Sequence, residues 1–343
     1  MTRDFTWRDA GRTVVFRRGG VGDAVEALRE QGIEEFELLS TERALRAADG
    51  LADAALAVHL VPPGQVPAAA ATLLGALAPP YEAGMEVRAR PLVALGGGRV
   101  IDVAKAIASV TGAEVAAIPT TLSGAPMTAI HRLPAGAEER ARGMVRPSLV
   151  IADPEAMASQ PEGELRASAM NALAHGADTL YLPLSNPVSE AMALRGAELT
   201  ARALDQERQR RERADLALGS LLCGYAIDSA GLGLHHLVCQ TLVRICGTPH
   251  AETNAAILPH ALAFLAERAP EPYGRLATAL GTDRAGLRQR VEELGRPQPL
   301  GELGGDESKL DEAIGAMLKR PELARVPGSP SREDLTELAR SAW

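Results

Sequence analysis

The sequence predicts an α/β domain over residues 1–154 followed by an all-helical domain over residues 155–343. Three observations carry this. Short apolar runs alternate with helical patterns as far as residue 153, the mark of a largely parallel sheet covered by helices. Beyond Pro154 strand-like runs nearly vanish, and stretches rich in Ala, Leu, Glu and Arg continue with helical period. Three consecutive glycines, Gly96-Gly97-Gly98, join a strand pattern to a helix pattern in the first half.

The strands expected are TVVFRR (13–18), FELLS (36–40), AALAVHL (54–60), PLVALGG (91–97), EVAAIPT (114–120) and SLVIAD (148–153), each an apolar run bounded by turn residues. GDAVEALREQG, VPAAAATLLGAL and VIDVAKAIASVTG read as helices between them. In the second half Ser331 and Asp334 have the spacing of a capping box that opens the last helix. The charged run DQERQRRERAD (205–215) mixes both signs, which marks a solvated helix end or turn.

The composition excludes several classes. The chain has 343 residues, a formal net charge of -8 and 3% aromatic residues. That length suggests two domains, and the charge and scarcity of stacking rings argue against a nucleic-acid surface. Cys223, Cys239 and Cys246 are odd in number and lack zinc-type spacing, which fits a reduced, cytoplasmic setting. MTRDFTWRDAGRTVVF shows no apolar signal core, and no apolar run approaches membrane-spanning length. The expected partner is a small molecule, with neither nucleic acid nor membrane.

Two loops carry the first candidate chemistry. Gly96, Gly97 and Gly98 let backbone approach a pyrophosphate, and the helix that follows offers free N–H groups and a partial positive charge. The spacing is not GxGxxG, so this is not an ordinary Rossmann fingerprint. A second loop, IPTTLSGAPMT (118–128), supplies the hydroxyls of Thr120, Thr121 and Ser123 after another strand end. Ligands of open α/β sheets sit beyond such ends.

The second candidate site lies among the histidines. Four of the seven fall at 175, 235, 236 and 250. Asn171 and His175 are four apart, as are His236 and Gln240, so each pair shares a helix face. Two helices of that kind can build one polar pocket, able to bind a metal ion or polarise a substrate carbonyl. Adjacent helical residues diverge by about 100°, so His235 and His236 cannot both face it squarely.

GGGxxxDxAKAIA, IPTTxxGxxMT, NALAH, AGLGLHH and PHAETNAAILPH occur together and in order. On these motifs the chain resembles the iron-containing alcohol dehydrogenase superfamily, and within it the maleylacetate reductases most closely. The resemblance runs nearly end to end. It implies a dehydroquinate synthase-like architecture: an α/β nucleotide-binding domain, an all-helical domain, an active site in the cleft between them, and a homodimer. It implies NADH or NADPH held by Gly96, Gly97, Gly98 and Asp102 with Thr120, Thr121, Ser123 and Thr41. His175, His236 and His250 would polarise a substrate oxygen or bind its carboxylate, with Asn171 and Gln240 orienting it and His235 a candidate proton donor. His260 is read as a wall or structural residue, His59 and His131 as structural or exposed.

In metal-dependent members an aspartate stands at Asn171, and with His175, His236 and His250 it holds Fe or Zn. An amide brings no charge, so the resemblance favours a metal-free site. Other departures are Arg99 for serine, Ala125 and Pro126 for serine and glutamate, Gln240 for a titratable histidine, and Val243-Arg244 for two glycines. Ser40 and Thr41 stand where many members carry an acid against NADP, and Arg43 or Arg46 are candidates for a 2′-phosphate. The leading reading is an NAD(P)H-dependent reductase acting on a carbonyl or activated C=C of a small acidic substrate. Its rivals are a non-redox lyase or cyclase on the same fold and a non-catalytic paralogue.

Overall fold

The computed structural model describes residues 11–46, 48–77 and 89–343. It divides into two compact units, one ending at Ser159 and one running from Gln160 to Trp343.

In the first unit six strands among the described residues form one parallel sheet: β1 (Thr13–Phe16), β2 (Glu37–Ser40), β3 (Ala57–Leu60), β4 (Leu92–Gly96), β5 (Val115–Pro119) and β6 (Leu149–Ala152). Their order across the sheet is β1-β6-β5-β4-β2-β3. The helices are α1 (Ala24–Glu30), α2 (Glu42–Leu45), α3 (Asp49–Ala54), α4 (Val66–Leu77), α5 (Gly98–Thr111) and the short α6 (Pro154–Met157). Side chains alternate across a strand, so β4 feeds two cores. Leu92 and Ala94 pack with α4 and α5, whereas Val93 and Leu95 pack with α1 and α3. Every strand proposed from the sequence is present. The helices α2 and α3 were not anticipated, because each is about one turn long and carries little periodic signal.

The strand order reverses between β2 and β4. From β2 the chain steps outward to β3, then returns to the other side of β2 as β4. The carboxyl ends of β2 and β4 therefore frame a topological switch point, where such sheets bind ligands. The Ser40 hydroxyl donates to Leu95 O at 2.9 Å and ties these ends together.

The second unit is helical: α7 (Glu162–Thr179), α8 (Pro187–Asp205), α9 (Arg213–Ala230), α10 (Leu234–Ile245), α11 (His250–Arg268), α12 (Pro270–Ala279), α13 (Leu287–Gly295), α14 (Leu310–Met317) and α15 (Arg332–Arg340). Residues 165–179 of α7 are all buried, as befits a helix with partners on all sides. It packs against α8, α9, α10, α11 and α13. Ser331 and Asp334 cap α15 reciprocally, as their spacing implied. The 205–215 run forms the turn between α8 and α9, but it is not wholly solvated. Arg211 is buried and donates to both carboxylate oxygens of Glu162 at 2.8 and 2.9 Å. With Arg166 also bound, these guanidinium groups hold the Glu162 carboxyl down at about 2. No single helix among the described residues is long and apolar enough to cross a membrane.

Small residues let α7, α8 and α9 approach closely. A Cβ on Gly196 would lie 2.6 Å from Cys223 Sγ and 2.8 Å from Gly219 O. The second contact is backbone and cannot give way. Gly196→Ala is expected to cost about 1–3 kcal/mol through overpacking, read as a lower denaturation midpoint. Gly163→Ala, in α7 with open space around its Cβ, should leave the midpoint unchanged or raise it by up to about 1 kcal/mol. Equal losses in the two variants would contradict this packing.

Candidate active site

At the switch point the glycine loop packs against the loop after β5. A Cβ on Gly97 would stand 2.9 Å from Thr121 Cγ2, and one on Gly98 would stand 2.8 Å from Ser123 Oγ. The glycines are thus required by loop-to-loop packing as well as by any ligand. No side chain caps the N-terminus of α5. The Ser123 hydroxyl oxygen beside it is shut from solvent and has no hydrogen-bond partner. An uncapped helix N-terminus beside an unpartnered hydroxyl suits a phosphate oxygen, so these residues fit a dinucleotide pyrophosphate.

Other expected cofactor residues are engaged within the protein. Thr41 Oγ1 accepts from Ala44 N and caps α2. Asp102 pairs with Lys105 at 2.7 Å. Thr120 N donates to Gly96 O at 3.0 Å. Lys105 was missed by the sequence reading. Its fully buried ammonium donates to the carbonyls of Ala125, Thr128 and Ile130 at 2.8–3.0 Å. It fixes the turn at Ala125–Met127, where the chain carries Pro126. Arg99 donates through Nη1 to Pro62 O.

The histidine site is built on Asp178, also missed, which lies three residues after His175 on the same face of α7. Its carboxylate accepts from the N–H groups of Gly233 (3.1 Å), His235 (3.4 Å) and His236 (3.3 Å), and from His236 Nδ1 (2.7 Å). The Tyr181 hydroxyl accepts from Leu234 N at 2.5 Å. Four consecutive N–H groups opening α10 are thereby satisfied by side chains at the end of α7. A Cβ on Gly233 would collide with Asp178 and the Tyr181 hydroxyl, so that residue must be glycine.

The structure brings His175, His235 and His236 together. The rings of His175 and His236 stack with centroids 4.5 Å apart and planes 13° apart. His235 meets His236 edge-on at 4.9 Å. His235 Nε2 donates to Asn254 O at 3.0 Å, turning its ring into the protein interior. His250 opens α11 at an exposed position, near enough to act electrostatically on His175, His235 and His236. Gln240 accepts from Arg320 Nη2 at 3.4 Å, and Arg320 also clamps Glu322. Arg244 is exposed, and His260 lies near Arg288 and Glu292. His131 and His59 are structural: His131 accepts from Val145 N, and His59 pairs with Glu37. Buried atoms without partners in this region are Asn171 Oδ1, His175 Nδ1, His235 Nδ1, His236 Nε2 and Asn254 Oδ1.

Asp178, His235 and His236 offer ligand atoms within 4.8 Å of one another, a group that proximity alone would allow to hold a metal ion. Of the trio expected from the resemblance, this group contains His236 but neither His175 nor His250. The Asp178–His235–His236 group does not fit a resident Fe or Zn. The Asp178 oxygens are occupied by N–H donors, and His235 Nε2 is committed to Asn254 O. An imidazole binds metal in its own plane, and two nearly parallel stacked rings cannot share one ion. Asp178 instead orients His236 in the way a carboxylate holds a working histidine.

Burial, and then the neighbouring histidines, set the electrostatics. Burial pushes His235 and His236 down to about 3 and His175 well below the usual histidine value. Burial raises the Asp178 carboxyl above its usual range, while His235 and the backbone donors pull it back. The folded histidines stay neutral where the unfolded ones, near 6.5, take up protons. Stability is therefore expected to fall as pH drops from about 6.5 towards 3, each histidine contributing up to about 1.4 kcal/mol per pH unit. The raised Asp178 acts in the opposite sense. Urea denaturation at pH 7, 6 and 5 tests this: the helical unit should weaken stepwise, and His236→Asn should reduce the slope by roughly one proton. A midpoint unchanged between pH 7 and 5 would contradict it.

Comparison with known proteins agrees across both units. A family model described as iron-containing alcohol dehydrogenase matches residues 15–161, and one described as Fe-containing alcohol dehydrogenase family, C-terminal, matches residues 166–343. Maleylacetate reductase 1 of Rhodococcus opacus is 35% identical over 260 residues, covering 74% of this chain and 72% of that protein. Maleylacetate reductase of Rhizobium sp. strain MTP-10005 is 33% identical over 318 residues, covering 90% and 89%. The crystal structure of maleylacetate reductase from Agrobacterium tumefaciens superposes with a TM-score of 0.83 at 30% identity, covering 100% and 99% of the two chains. With the glycine loop and the histidine helices each falling inside a matched region, the chain is an oxidoreductase that belongs to the iron-containing alcohol dehydrogenase family.

Proposed function

We propose that this chain is an NAD(P)H-dependent reductase acting on a carbonyl or activated C=C bond of a small acidic substrate; relatives it matches along most of their length are named maleylacetate reductases. The observation that carries this reading is His236. Its Nδ1 is held by Asp178 at 2.7 Å, and its Nε2 is buried without a partner.

A bound nicotinamide supplies the hydride. The uncapped N-terminus of α5 and the Ser123 hydroxyl hold the pyrophosphate end. Asn171 Oδ1, His175 Nδ1 and His236 Nε2 are the unpartnered polar atoms that meet substrate. Asp178 keeps the Nδ1 proton of His236 in place, so Nε2 is the atom that exchanges a proton with the substrate oxygen. On reduction His236 delivers that proton as hydride reaches carbon. Asp178 stabilises the imidazolium form that precedes delivery, and a bound carboxylate raises its proton affinity. Gln240 does not titrate and serves as a hydrogen-bonding group beside Arg320. His235, committed to Asn254 O, supports the ring of His236 rather than carrying the proton.

Purified protein supplied with NADH or NADPH and an unsaturated keto acid, maleylacetate first, should consume the reduced nucleotide. His236→Ala should lower kcat by about 10²–10⁴-fold, the range for loss of general acid–base catalysis, with nucleotide binding intact. Asp178→Asn should also lower kcat, because an amide cannot hold the same tautomer and charge. Nucleotide binding with no turnover of any such acid would replace this reading with a non-redox use of the same fold.

A further inference from the structure

We infer that Arg99 is a specificity-determining residue for the 2′-phosphate of NADPH. The inference rests on the reductase reading and concerns the nucleotide end of that site. Arg99 is the second residue of α5, immediately after the glycine loop that follows β4. Its Nη1 donates to the carbonyl of Pro62, just beyond β3. The strand order places β2 between β4 and β3. Val61 N bonds Ser40 O, so the chain leading to Pro62 runs alongside the end of β2. The Arg99 side chain thus crosses the carboxyl end of β2, over the switch point where the adenosine ribose of a dinucleotide lies.

The groups at that crossing favour a phosphate over a bare ribose hydroxyl. In doubly wound folds an acid at the strand end bonds the ribose 2′-OH and repels a 2′-phosphate, and an arginine nearby reverses that choice. Here the strand end is Ser40-Thr41, and both hydroxyls are used within the protein. Ser40 Oγ donates to Leu95 O, and Thr41 Oγ1 accepts from Ala44 N. Glu42, the nearest acid in the chain, is exposed in the first turn of α2, where it complements the helix N-terminus. Among the described residues no carboxylate pairs with Arg99, and its single hydrogen bond to Pro62 O leaves the other guanidinium N–H groups available. A guanidinium anchored at one nitrogen and open at the others offers the fork that grips a phosphate.

Calorimetric titration of the full-length protein with 2′-phospho-ADP-ribose and with ADP-ribose reads this without turnover. The wild type should bind the 2′-phosphorylated probe at least about tenfold more tightly, a ratio set by one charge-assisted pair. Arg99→Ser should abolish most of that preference while leaving ADP-ribose within about threefold, and Arg99→Lys should keep part of it. Three results would overturn the inference: equal binding of both probes by the wild type, an equal loss for both in Arg99→Ser, placing the arginine on the shared pyrophosphate, or an equal gain, showing that it obstructs the site. Equal wild-type binding leaves the reductase reading standing. Failure of both probes to bind removes the reading and the inference together.

Discussion

The helical unit depends on one buried carboxylate. Asp178 gathers three backbone N–H groups and an imidazole N–H at the start of α10, and Tyr181 takes the fourth backbone donor. Those donors would otherwise be buried and open, at a cost of about 1–3 kcal/mol each. The same contact sets the direction of α10, which leaves α9 at 97°. It thereby places His236 against His175 of α7. Helix direction, ring orientation and proton position follow from a single side chain, and Gly233 is the condition for its close approach.

The α/β unit uses the inverse arrangement. There a buried cation, Lys105, gathers backbone carbonyls at Ala125, Thr128 and Ile130, with Asp102 as counter-charge. It locks the loop after β5 to α5, so Ser123 and the uncapped helix N-terminus stay beside each other. In each unit the candidate site therefore rests on one helical ion that organises the backbone of a neighbouring segment. Removing one partner of such a buried charge set costs about 3–5 kcal/mol and leaves the other stranded. The working groups are held by ions that do not themselves react.

The strands were legible because each is a short apolar run between turn residues, and the glycine and histidine motifs were legible because their spacing is local. The organising ions were not. Lys105 and Asp178 read as ordinary polar residues, since their partners lie 20–25 residues away for Lys105 and 55–58 away for Asp178. Arg211 failed for the same reason: local charge pattern made it a surface residue, and Glu162 made it a buried one. His250 opens α11 at an exposed position and still acts electrostatically on His175, His235 and His236, so its place beside them was legible from the motif whereas its exposure was not.

The proton economy of the site narrows what it can reduce. Gln240 does not titrate, and His235 is committed to a backbone carbonyl. On the proposed reading proton delivery is assigned to His236, whose Nδ1 Asp178 holds and which burial lowers to about 3. Burial and the nearby His250 disfavour its charged form, and a neutral substrate offers nothing to offset them. A carboxylate brought into the same buried space supplies the missing charge, and in a low dielectric that attraction is large enough to move a histidine by several pH units. Substrate charge then does two things at once. It binds to the polar cluster, and it arms the acid that completes the reduction, so selection for acidic substrates would come from the catalytic step as much as from affinity.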